Sequence, residues 1–483
     1  MKKLVYMVLL AGSFTARAQK TGDTKESFTA EELKQDFDVF RTSLEEGHPA
    51  LYRYKSKATM DSIFTAMASS ITMPMSDMEF MRLVSRTAAL VGDGHLRVIP
   101  PKLRKDKLDE GKTATPFRVY WNDDKLFVFK NYSLLADKEF LGAQIISING
   151  YKVTDILKEY LLIAASDGSN ITNKYRMLSR PRPFMRCLNY LYGYTEMYQL
   201  EYIPIDETLI KKNTLAGITF DELFEQDAKR YPGTAATPLT DFTISPDQHY
   251  AYLRISSFDK GLLKDNKINF EKFLSTSFKR IYDNGIKNLI LDLRGNAGGT
   301  DEYGKILFSY FTGQPFDYYE SLRMNKETFY FFKYTSNPGR KAPGGMLQAN
   351  REGSFDNIQH PNVGKQQPML PTFTGNIYVL INGGCFSTTS EFLSMLHFHT
   401  EAVFIGEESG GGYSGNCSGP TPEFFLPNTK VSVELPLMRY EMAVKGYPYP
   451  DRGIIPNHII TPLIKDKIEN NDVELEFAKS LIK

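Results

Sequence analysis

The chain has 483 residues, of which 42% are hydrophobic and 24% are charged; these values are ordinary for a globular protein of two or three domains. Its 58 basic and 57 acidic residues give a formal net charge of +1 at pH 7, which argues against a nucleic acid or an anionic membrane as partner. The patterns H-E-x-x-H, C-x-x-C and G-x-S-x-G are absent, so the sequence predicts no metal site and disfavours a lipase-type hydrolase.

The first 18 residues have the pattern of a secretory signal peptide. Lys2 and Lys3 precede an apolar run over residues 4–14, which is too short to span a bilayer. Residues 16–18, Ala-Arg-Ala, fit the small-x-small cleavage pattern. We therefore expect export to the periplasm or the medium, and no later stretch is long and apolar enough for a membrane span.

Residues 19–105 are predicted to be helical. Thr29 is a hydroxyl cap followed by acidic residues. The apolar residues after it recur at helical spacing: Leu33, Phe37, Phe40 and Leu44. A second helix is predicted over 75–91, ahead of a Gly-Asp-Gly turn and a strand, HLRVI, that starts at His95.

Residues 106–170 read as a β module. The short strands FRVYW, KLFVF and QIISI are separated by turns, and residues 141–153, LGAQIISINGYKV, contain an Asn-Gly turn. This piece resembles the central part of a PDZ domain; a β-rich insertion of another kind is the alternative. Residues 171–245 are predicted to be a β-rich connecting region.

From residue 246 to about 465 strands and helices alternate, which predicts an α/β core. The strands are AYLRI, LILDL, IYVLI and AVFIG, with helices at 270–282, 303–311 and after Cys385. Residues 322–372 are polar and rich in Gly and Pro, and are predicted to form a long excursion over the core. A C-terminal helix is predicted over 466–483, so the fold class is mixed α/β.

Two strand–loop–helix units in this core suggest an acyl-transfer site. Residues 288–300, NLILDLRGNAGGT, end a buried strand in a loop with three glycines. Glycine lets backbone N–H groups turn toward a ligand at no steric cost, and such amides can stabilise a developing oxyanion. Residues 378–396, YVLINGGCFSTTSEFLSML, repeat the design with a Gly-Gly turn and a helix start rich in hydroxyls.

The order LILDLRGNAGG, VLINGGCFSTTSEF and FIGEESGGG resembles the tail-specific, or C-terminal processing, serine proteases. The resemblance covers roughly residues 85–100 and 250–460. It implies a ClpP/crotonase-like α/β core and an endopeptidase that acts on peptide or protein substrates with accessible C-terminal tails. It implies neither a metal nor an organic cofactor.

The resemblance implies a serine nucleophile at the start of the helix after Cys385. Ser387 lies five residues after Asn382 and 19 residues before Gly406, and both spacings match the family. The family glutamate, three residues after the nucleophile, would instead select Thr388 when counted back from Glu391. Ser390 is a further candidate hydroxyl, and a plain Ser/Thr helix cap is the structural alternative.

The implied base is a histidine, as in the tricorn-like branch of the family. Gly412 stands where the lysine-dependent branch carries its lysine, whereas Asp93-Gly94-His95 matches the D-x-H turn of the tricorn-like branch. His95 is then the general base, and Gly94 stands where that branch often has a serine. A structural histidine in a turn is the alternative.

The resemblance also implies an acid and an oxyanion site. Asp451 precedes Arg-Gly-Ile-Ile-Pro and matches an acid that would orient His95; an ordinary Asp-Arg-Gly turn is the alternative. The implied oxyanion donors are the amides of Gly298, Gly299 and Thr388.

Three cysteines permit one disulfide bond in an oxidising compartment. Cys385 and Cys417 both flank the predicted site and are the expected pair; three unpaired buried thiols are the alternative. Two other functions stay open, a catalytically inactive peptide-binding protein on the same fold and a hydrolase of non-peptide acyl groups.

Overall fold

A computed structural model describes residues 27–232, 238–247, 249–339 and 347–482. The predicted signal peptide lies outside these ranges. Within them, no helix combines the length and the apolar character needed to cross a membrane.

The N-terminal region is helical, as predicted. Its elements are α1 (Ala30–Gly47), α2 (Lys57–Ser69), α3 (Asp77–Val91), β1 (Arg97–Ile99) and α4 (Lys102–Glu110). The hydroxyl of Thr29 accepts the N–H of Glu32, whose carboxylate accepts the N–H of Thr29, so α1 begins with a capping box. His95 lies in the turn before β1, not in the predicted strand, because its own N–H is bonded to the side chain of Asp93.

The middle of the chain forms an antiparallel sheet covered by helices. Its elements are β2 (Phe117–Asn122), β3 (Lys125–Asn131), α5 (Asp137–Phe140), β4 (Gln144–Ile148), β5 (Tyr151–Lys152), α6 (Val153–Ile163), α7 (Thr172–Leu178), α8 (Pro181–Tyr192), β6 (Met197–Ile203), β7 (Lys211–Ala216) and α9 (Phe220–Arg230). The strand order is β2-β3-β4-β6-β7, and β5 pairs with β4. Phe117, Leu126 and Phe184 belong to a core of its own.

The predicted boundary at residue 170 is wrong. Residues 171–245 begin with two helices, α7 and α8, and β6 then returns to pair with β4 inside the sheet of the β module. Proline starts α8, where its missing N–H costs nothing, and Phe184 and Leu188 are buried at helical spacing against that sheet. The PDZ-like identity of this module stays a prediction.

The rest of the chain forms the α/β core. Its elements are β8 (Thr240–Ile244), β9 (Ala251–Ile255), α10 (Lys260–Asp265), α11 (Phe270–Asp283), β10 (Asn288–Asp292), α12 (Asp301–Phe308), β11 (Phe316–Asp317), β12 (Tyr319–Met324), β13 (Leu347–Ala349), β14 (Phe355–Asn357), β15 (Lys365–Gln366), β16 (Asn376–Ile381), α13 (Thr388–His399), β17 (Val403–Gly406), β18 (Gly415–Ser418), β19 (Glu423–Phe425), β20 (Ser432–Glu434), β21 (Met438–Met442), β22 (His458–Ile459), α14 (Ile464–Glu469) and α15 (Val473–Ser480). The predicted C-terminal helix is thus two short helices.

The central sheet has the strand order β22-β17-β16-β10-β9-β8, and all its neighbours are parallel except β8 and β9. Leu289, Ile290 and Leu291 are fully buried, which explains the continuous apolar run, since a parallel strand is covered on both faces. Because β10 and β16 are parallel neighbours, the loops that follow them emerge at the same edge of the sheet.

The N-terminal region is held against this core by a strand pair and by shared packing. β1 pairs with β20, with Val98 opposite Val433. Phe37 and Phe40 of α1 belong to the same apolar cluster as Leu253 of β9. These contacts fix the turn that contains His95 relative to the sheet.

A buried ion cluster closes the end of β10. The guanidinium of Arg294 donates to the carboxylates of Asp292, Asp472 and Glu474, and Arg254 also binds Asp292. Burial alone would raise the pKa of Asp292, but the two guanidinium groups outweigh it and hold that pKa below its ordinary value. The cluster ties the glycine loop to the start of α15.

Replacing Arg294 with methionine is expected to destabilise the protein by about 3–5 kcal/mol, because the buried Glu474 would lose its guanidinium partner and Asp292 would keep only Arg254. Urea unfolding followed by circular dichroism measures the change. Arg97→Met is the control, since it removes only the exposed ion pair with Glu434, worth less than about 1 kcal/mol. Equal losses for both variants would contradict this account of the cluster.

Candidate active site

Ser387 lies in a sharp turn between β16 and α13. Its backbone angles are φ 55° and ψ −127°, a conformation that costs energy for any residue other than glycine and is common at functional sites. The Ser387 hydroxyl makes no capping bond to α13. The turn therefore presents this hydroxyl outward at the N-terminus of a helix, and the helix-cap alternative is not what the structure shows.

The imidazole of His95 meets this hydroxyl. His95 Nε2 lies 3.1 Å from Ser387 Oγ, although 292 positions separate the two residues. The ring stacks on Phe386, with centroids 4.6 Å apart. This distance is within the reach that a general base needs to take a proton from a nucleophile.

The packing around Gly94 leaves no room for a side chain at this position. A Cβ at this position would lie 2.8 Å from the ring of Phe386 and 3.3 Å from Asp167 Oδ1. The absence of a side chain thus lets Phe386 approach the turn and stack on His95. The residue that departs from the tricorn-like pattern is required by the packing in this chain.

The alternative nucleophiles Thr388 and Ser390 are engaged elsewhere. Thr388 Oγ1 donates to the carbonyl of Gly299 at 3.0 Å, and Ser390 Oγ donates to the carbonyl of Cys385 at 3.1 Å. Both residues are buried. Among the described residues, neither hydroxyl contacts a histidine, so the geometry favours Ser387.

Two of the three predicted oxyanion amides are free. The N–H of Gly298 donates to Asn296 Oδ1 at 2.9 Å, which corrects its predicted role as a donor. Within the described ranges, the amides of Gly299 and Thr388 donate no hydrogen bond. A Cβ on Gly298 would lie 2.9 Å from the Thr388 nitrogen, so the glycine loop lies directly against the start of α13.

Asn296 is a supporting residue that the sequence analysis missed. It is fully buried, its Nδ2 donates to the carbonyl of Ile255, and its own carbonyl accepts the N–H of Phe386. Asn296 therefore joins β9, the glycine loop and the serine turn. The only signal in the sequence is a polar residue among the glycines of the loop.

The structure does not bring the carboxylate of Asp451 to His95. His95 Nδ1 is buried and has no hydrogen-bond partner among the described residues. Asp451 instead uses its backbone carbonyl, which accepts the N–H of Ser169 at 2.9 Å. The carboxylate of Glu408 accepts from the neighbouring Arg452 and Gly453, so the segment behaves as an Asp-Arg-Gly turn.

Asp93 is the carboxylate nearest to the free imidazole nitrogen. Asp93 Oδ1 lies 3.8 Å from His95 Nδ1, and Asp93 Oδ2 lies 2.7 Å from His48 Nε2. Burial alone would raise the pKa of Asp93, but the hydrogen bonds from His48 and from the backbone N–H of His95 hold that pKa below its ordinary value. No sequence signal placed His48 here, because it follows α1 and meets Asp93 only in the folded chain.

A second carboxylate, that of Asp167, lies beside the first. Asp167 Oδ1 accepts the N–H of Gly94 at 2.8 Å, and Oδ2 accepts the N–H of Gly412 at 3.0 Å. Burial, and then the negative charge of Asp93, raise the pKa of Asp167. The pKa values of these two neighbouring carboxylates are therefore shifted in opposite directions.

Two overlapping sets of side chains have the spacing of metal ligands, and they share Asp93. One set adds His48 and Cys417, the other adds His95 and Asp167, and the ligand atoms in each lie within 4.8 Å of one another. The oxygens of both carboxylates already accept hydrogen bonds from the protein. We therefore assign these atoms a role in the protein's own hydrogen-bond network.

The predicted Cys385–Cys417 disulfide is wrong, because the structure shows Cys187, Cys385 and Cys417 as buried free thiols. The thiol of Cys385 donates to the carbonyl of Leu293 at 3.0 Å. Burial raises the pKa of Cys385 to about 12, so this thiol is a structural donor and not a nucleophile.

One protein-family model matches part of this chain. A model of peptidase family S41 matches residues 249–459, which include the glycine loop, Ser387 and Gly406. This part of the chain is therefore similar to peptidase family S41. The His95 turn lies outside the matched residues, and it contacts Ser387, which lies within them, only in the folded chain.

Solved structures show a shared fold over most of the chain. Mature CPAF is similar over 94% of this chain and 97% of its own, with 15% identity and a TM-score of 0.61. Mature CPAF complexed with lactacystin is similar over 94% and 98%, with 15% identity and a TM-score of 0.63. No curated protein sequence matches this chain at a significant level.

Gly298→Ala is expected to abolish labelling of Ser387 by a fluorophosphonate probe. The added Cβ would lie 2.8 Å from the Cβ of Ser387 and would separate the two loops. Gly295→Ala is the matched control, because Gly295 also has a positive φ but open space at its Cβ position. Similar labelling of the two variants at equal folded fraction would contradict the proposed packing.

Glu391, the shifted family glutamate, is buried on α13. It accepts hydrogen bonds from Tyr319 Oη and Asn416 Nδ2. Burial, and then the charge of Asp301, raise the pKa of Glu391 to about 7. Because this folded-state pKa lies above the value in the unfolded chain, the stability contribution is complete below about pH 4.5 and is lost as the pH rises through 7.

The unfolding free energy of the wild type is therefore expected to fall between pH 5 and 8, and Glu391→Gln should remove this part of the fall. The expected difference is roughly 3 kcal/mol, at about 1.4 kcal/mol per pKa unit. Urea unfolding at several pH values measures the difference from the wild type. Glu401→Gln, at an exposed carboxylate, is the control and should leave the pH dependence unchanged. Parallel curves for Glu391→Gln and the wild type would count against the raised pKa.

Proposed function

We propose that this protein is an exported serine endopeptidase of the tail-specific type, tricorn-like branch, with Ser387 as the nucleophile and His95 as the general base. The observation that carries the proposal is the distance of 3.1 Å between His95 Nε2 and Ser387 Oγ. The match of residues 249–459 to peptidase family S41 supports the reaction class. The residues 1–18, with their signal-peptide pattern, motivate export.

In the proposed reaction, His95 Nε2 accepts the proton of Ser387 as the oxygen attacks the carbonyl carbon of a peptide bond. The developing oxyanion accepts hydrogen bonds from the free amides of Gly299 and Thr388. The positive end of α13 lies at the same place and favours the negative charge. His95 then donates its new proton to the leaving amine, and water hydrolyses the acyl-enzyme by the reverse proton transfers.

The β module offers a place for the substrate tail. A cavity of about 940 Å³ opens on its sheet, lined by residues that include Gln144, Ser147, Lys152, Gln199 and Thr214. Lys125 and Lys152 line it without an ion-pair partner among the described residues. Their charges suit a chain that ends in a carboxylate, and an extended peptide could add to the sheet by main-chain hydrogen bonds.

Neither alternative function is favoured by a specific observation. An inactive peptide-binding protein has no need of an imidazole within hydrogen-bond distance of a serine hydroxyl in a strained turn. A hydrolase of non-peptide acyl groups would use the same hydroxyl and imidazole, so it differs from the proposal only in its substrate.

A fluorophosphonate probe is expected to label the wild type on a single serine, and Ser387→Ala should lose that label completely. His95→Gln should lower the labelling rate by about 10²–10⁴-fold, since a base contributes that much to activating a hydroxyl. Ser390→Ala serves as the control for the neighbouring hydroxyl and should still be labelled. No labelling of the wild type under any condition would favour the binding protein.

The same preparation distinguishes the two hydrolases. A library of peptides with free and with amidated C-termini is compared with simple esters. Cleavage of peptides, with preference for a free carboxylate, is the expected outcome. Hydrolysis of esters alone would contradict the assignment as a peptidase, although Ser387 would still be the nucleophile.

A further inference from the structure

The imidazole of His95 has two nitrogens, and only one is accounted for. Nε2 faces Ser387, while Nδ1 is buried and has no partner within the described ranges. When Nε2 accepts the serine proton, Nδ1 must carry a hydrogen, and a buried N–H without an acceptor is costly. The acceptor must come from the atoms that already surround this nitrogen.

Two carboxylates lie within 4.8 Å of a ring nitrogen of His95, those of Asp93 and Asp167. Asp93 Oδ1 is at 3.8 Å, and it is also bonded to the backbone N–H of His95 at 2.8 Å. The same oxygen therefore lies beside both the backbone and the ring of His95. A small rotation of the ring would bring Nδ1 into hydrogen-bond distance, as catalytic contacts often tighten only with substrate.

His48 fixes the other oxygen of Asp93. The Nδ1 of His48 accepts the N–H of Ala50 at 3.2 Å, so the proton of a neutral His48 is on Nε2 and is donated to Asp93 Oδ2 at 2.7 Å. His48 is buried, and its carbonyl accepts from Asn325. The orientation of Asp93 is thus set by a residue that itself has no freedom to turn.

We infer that Asp93, held in place by His48, is the acid that orients His95 and stabilises its charged form, in the role that the sequence analysis gave to Asp451. The inference rests on the proposed function of Ser387 and His95. Asp93 and His48 are positioning residues, since they act through the imidazole and do not touch the substrate.

Asp167 is not equivalent to Asp93. Its two oxygens accept from Gly94 and Gly412, so it links the base turn to the loop after β17. Because burial and the charge of Asp93 raise its pKa, Asp167 takes up a proton before Asp93 does. The two carboxylates thus differ in pKa, and Asp93, whose pKa is the lowered one, is the carboxylate closest to Nδ1.

The other titratable groups near Asp93 do not change this assignment. They are Tyr54 and Cys417, with Arg53 beside them. Burial raises the pKa of both Tyr54 and Cys417, so both are neutral at physiological pH. Arg53 is a cation and adds to the effect of His48 in keeping a negative charge in this region.

The proton transfers of the proposed reaction require no further proton donor. The proton of Ser387 moves to His95 Nε2 and later to the leaving amine. His95 keeps its Nδ1 hydrogen, and Asp93 and His48 keep the protonation states they had before the reaction. The expected effect of Asp93 is therefore on the pH dependence of the base, not only on its rate.

The test measures the fluorophosphonate labelling rate of Ser387 between pH 5 and 9 in the full chain. In Asp93→Asn the maximal rate is expected to fall by about 10²–10⁴-fold. The pH of half-maximal labelling is expected to move down by about 1–3 units, because a lost neighbouring carboxylate disfavours the imidazolium. A purely structural defect would reduce the labelled fraction without moving this midpoint.

Two variants of His48 provide a second measurement. His48→Leu removes the donor to Asp93 and should move the midpoint in the same direction by a smaller amount. His48→Gln can place an amide N–H near the same oxygen and should restore most of the wild-type profile. Only folded molecules react with the probe. The pH of half-maximal labelling can therefore be measured even if part of a variant is unfolded.

The controls separate this inference from the proposed function. Asp38→Asn, at an exposed position of α1, should leave the midpoint unchanged. If Ser387 is labelled in the wild type and Asp93→Asn keeps the wild-type midpoint, the inference is overturned and the proposed function stands. A larger shift in Asp451→Asn or Asp167→Asn would also overturn it, whereas a wild type that never labels overturns both.

Discussion

The whole site depends on the parallel pairing of β10 with β16. In that register Asp292 lies opposite Leu380, so both chains leave the sheet at one edge and their loops must share the same small space. Gly298 meets the carbonyl of Phe386 and the side chain of Ser387 at distances that exclude a Cβ. The amide of Thr388 and the hydroxyl of Ser387 are therefore positioned by backbone packing, which is far stiffer than side-chain contact.

A second constraint brings the base to this edge from the other end of the chain. The turn that contains His95 follows α3, whose C-terminus is closed by Gly92 with φ +80°, and precedes β1, which pairs with β20. The turn is thus anchored on both sides, and Asp93 and Asp167 bind its amides. The stacking of His95 on Phe386 then couples the proposed base directly to the residue before the proposed nucleophile.

The sequence predicts the features that local chemistry determines. The capping box at Thr29, the apolar run of β10 and the glycine loop all have short-range causes. The choice of Ser387 rests instead on spacings from Asn382 and Gly406 that match the resembled family. The boundary of the β module was not predictable in the same way, because β6 joins the sheet through its pairing with β4 across three intervening helices, α6, α7 and α8. Pairing partners that are distant in sequence leave no local pattern.

The acid illustrates the same limit. Asp451 matched a motif, but a motif does not say whether a carboxylate or a backbone carbonyl makes the contact, and here it is the carbonyl that binds Ser169. Asp93 stood two residues from the base in the sequence, yet nothing local showed that His48 would be its partner across 45 positions.

The electrostatics of the site follow from burying two carboxylates side by side. Like charges disfavour each other's ionised form, and the partners of the two carboxylates differ, so that the pKa of Asp93 is lowered and the pKa of Asp167 is raised. His48 donates to Asp93 from a side chain, whereas Asp167 receives only backbone amides. The carboxylate with the lowered pKa therefore lies next to the imidazole, and the carboxylate with the raised pKa lies beside it. Pairs of titratable groups divide their roles in this way when their environments push their pKa values apart.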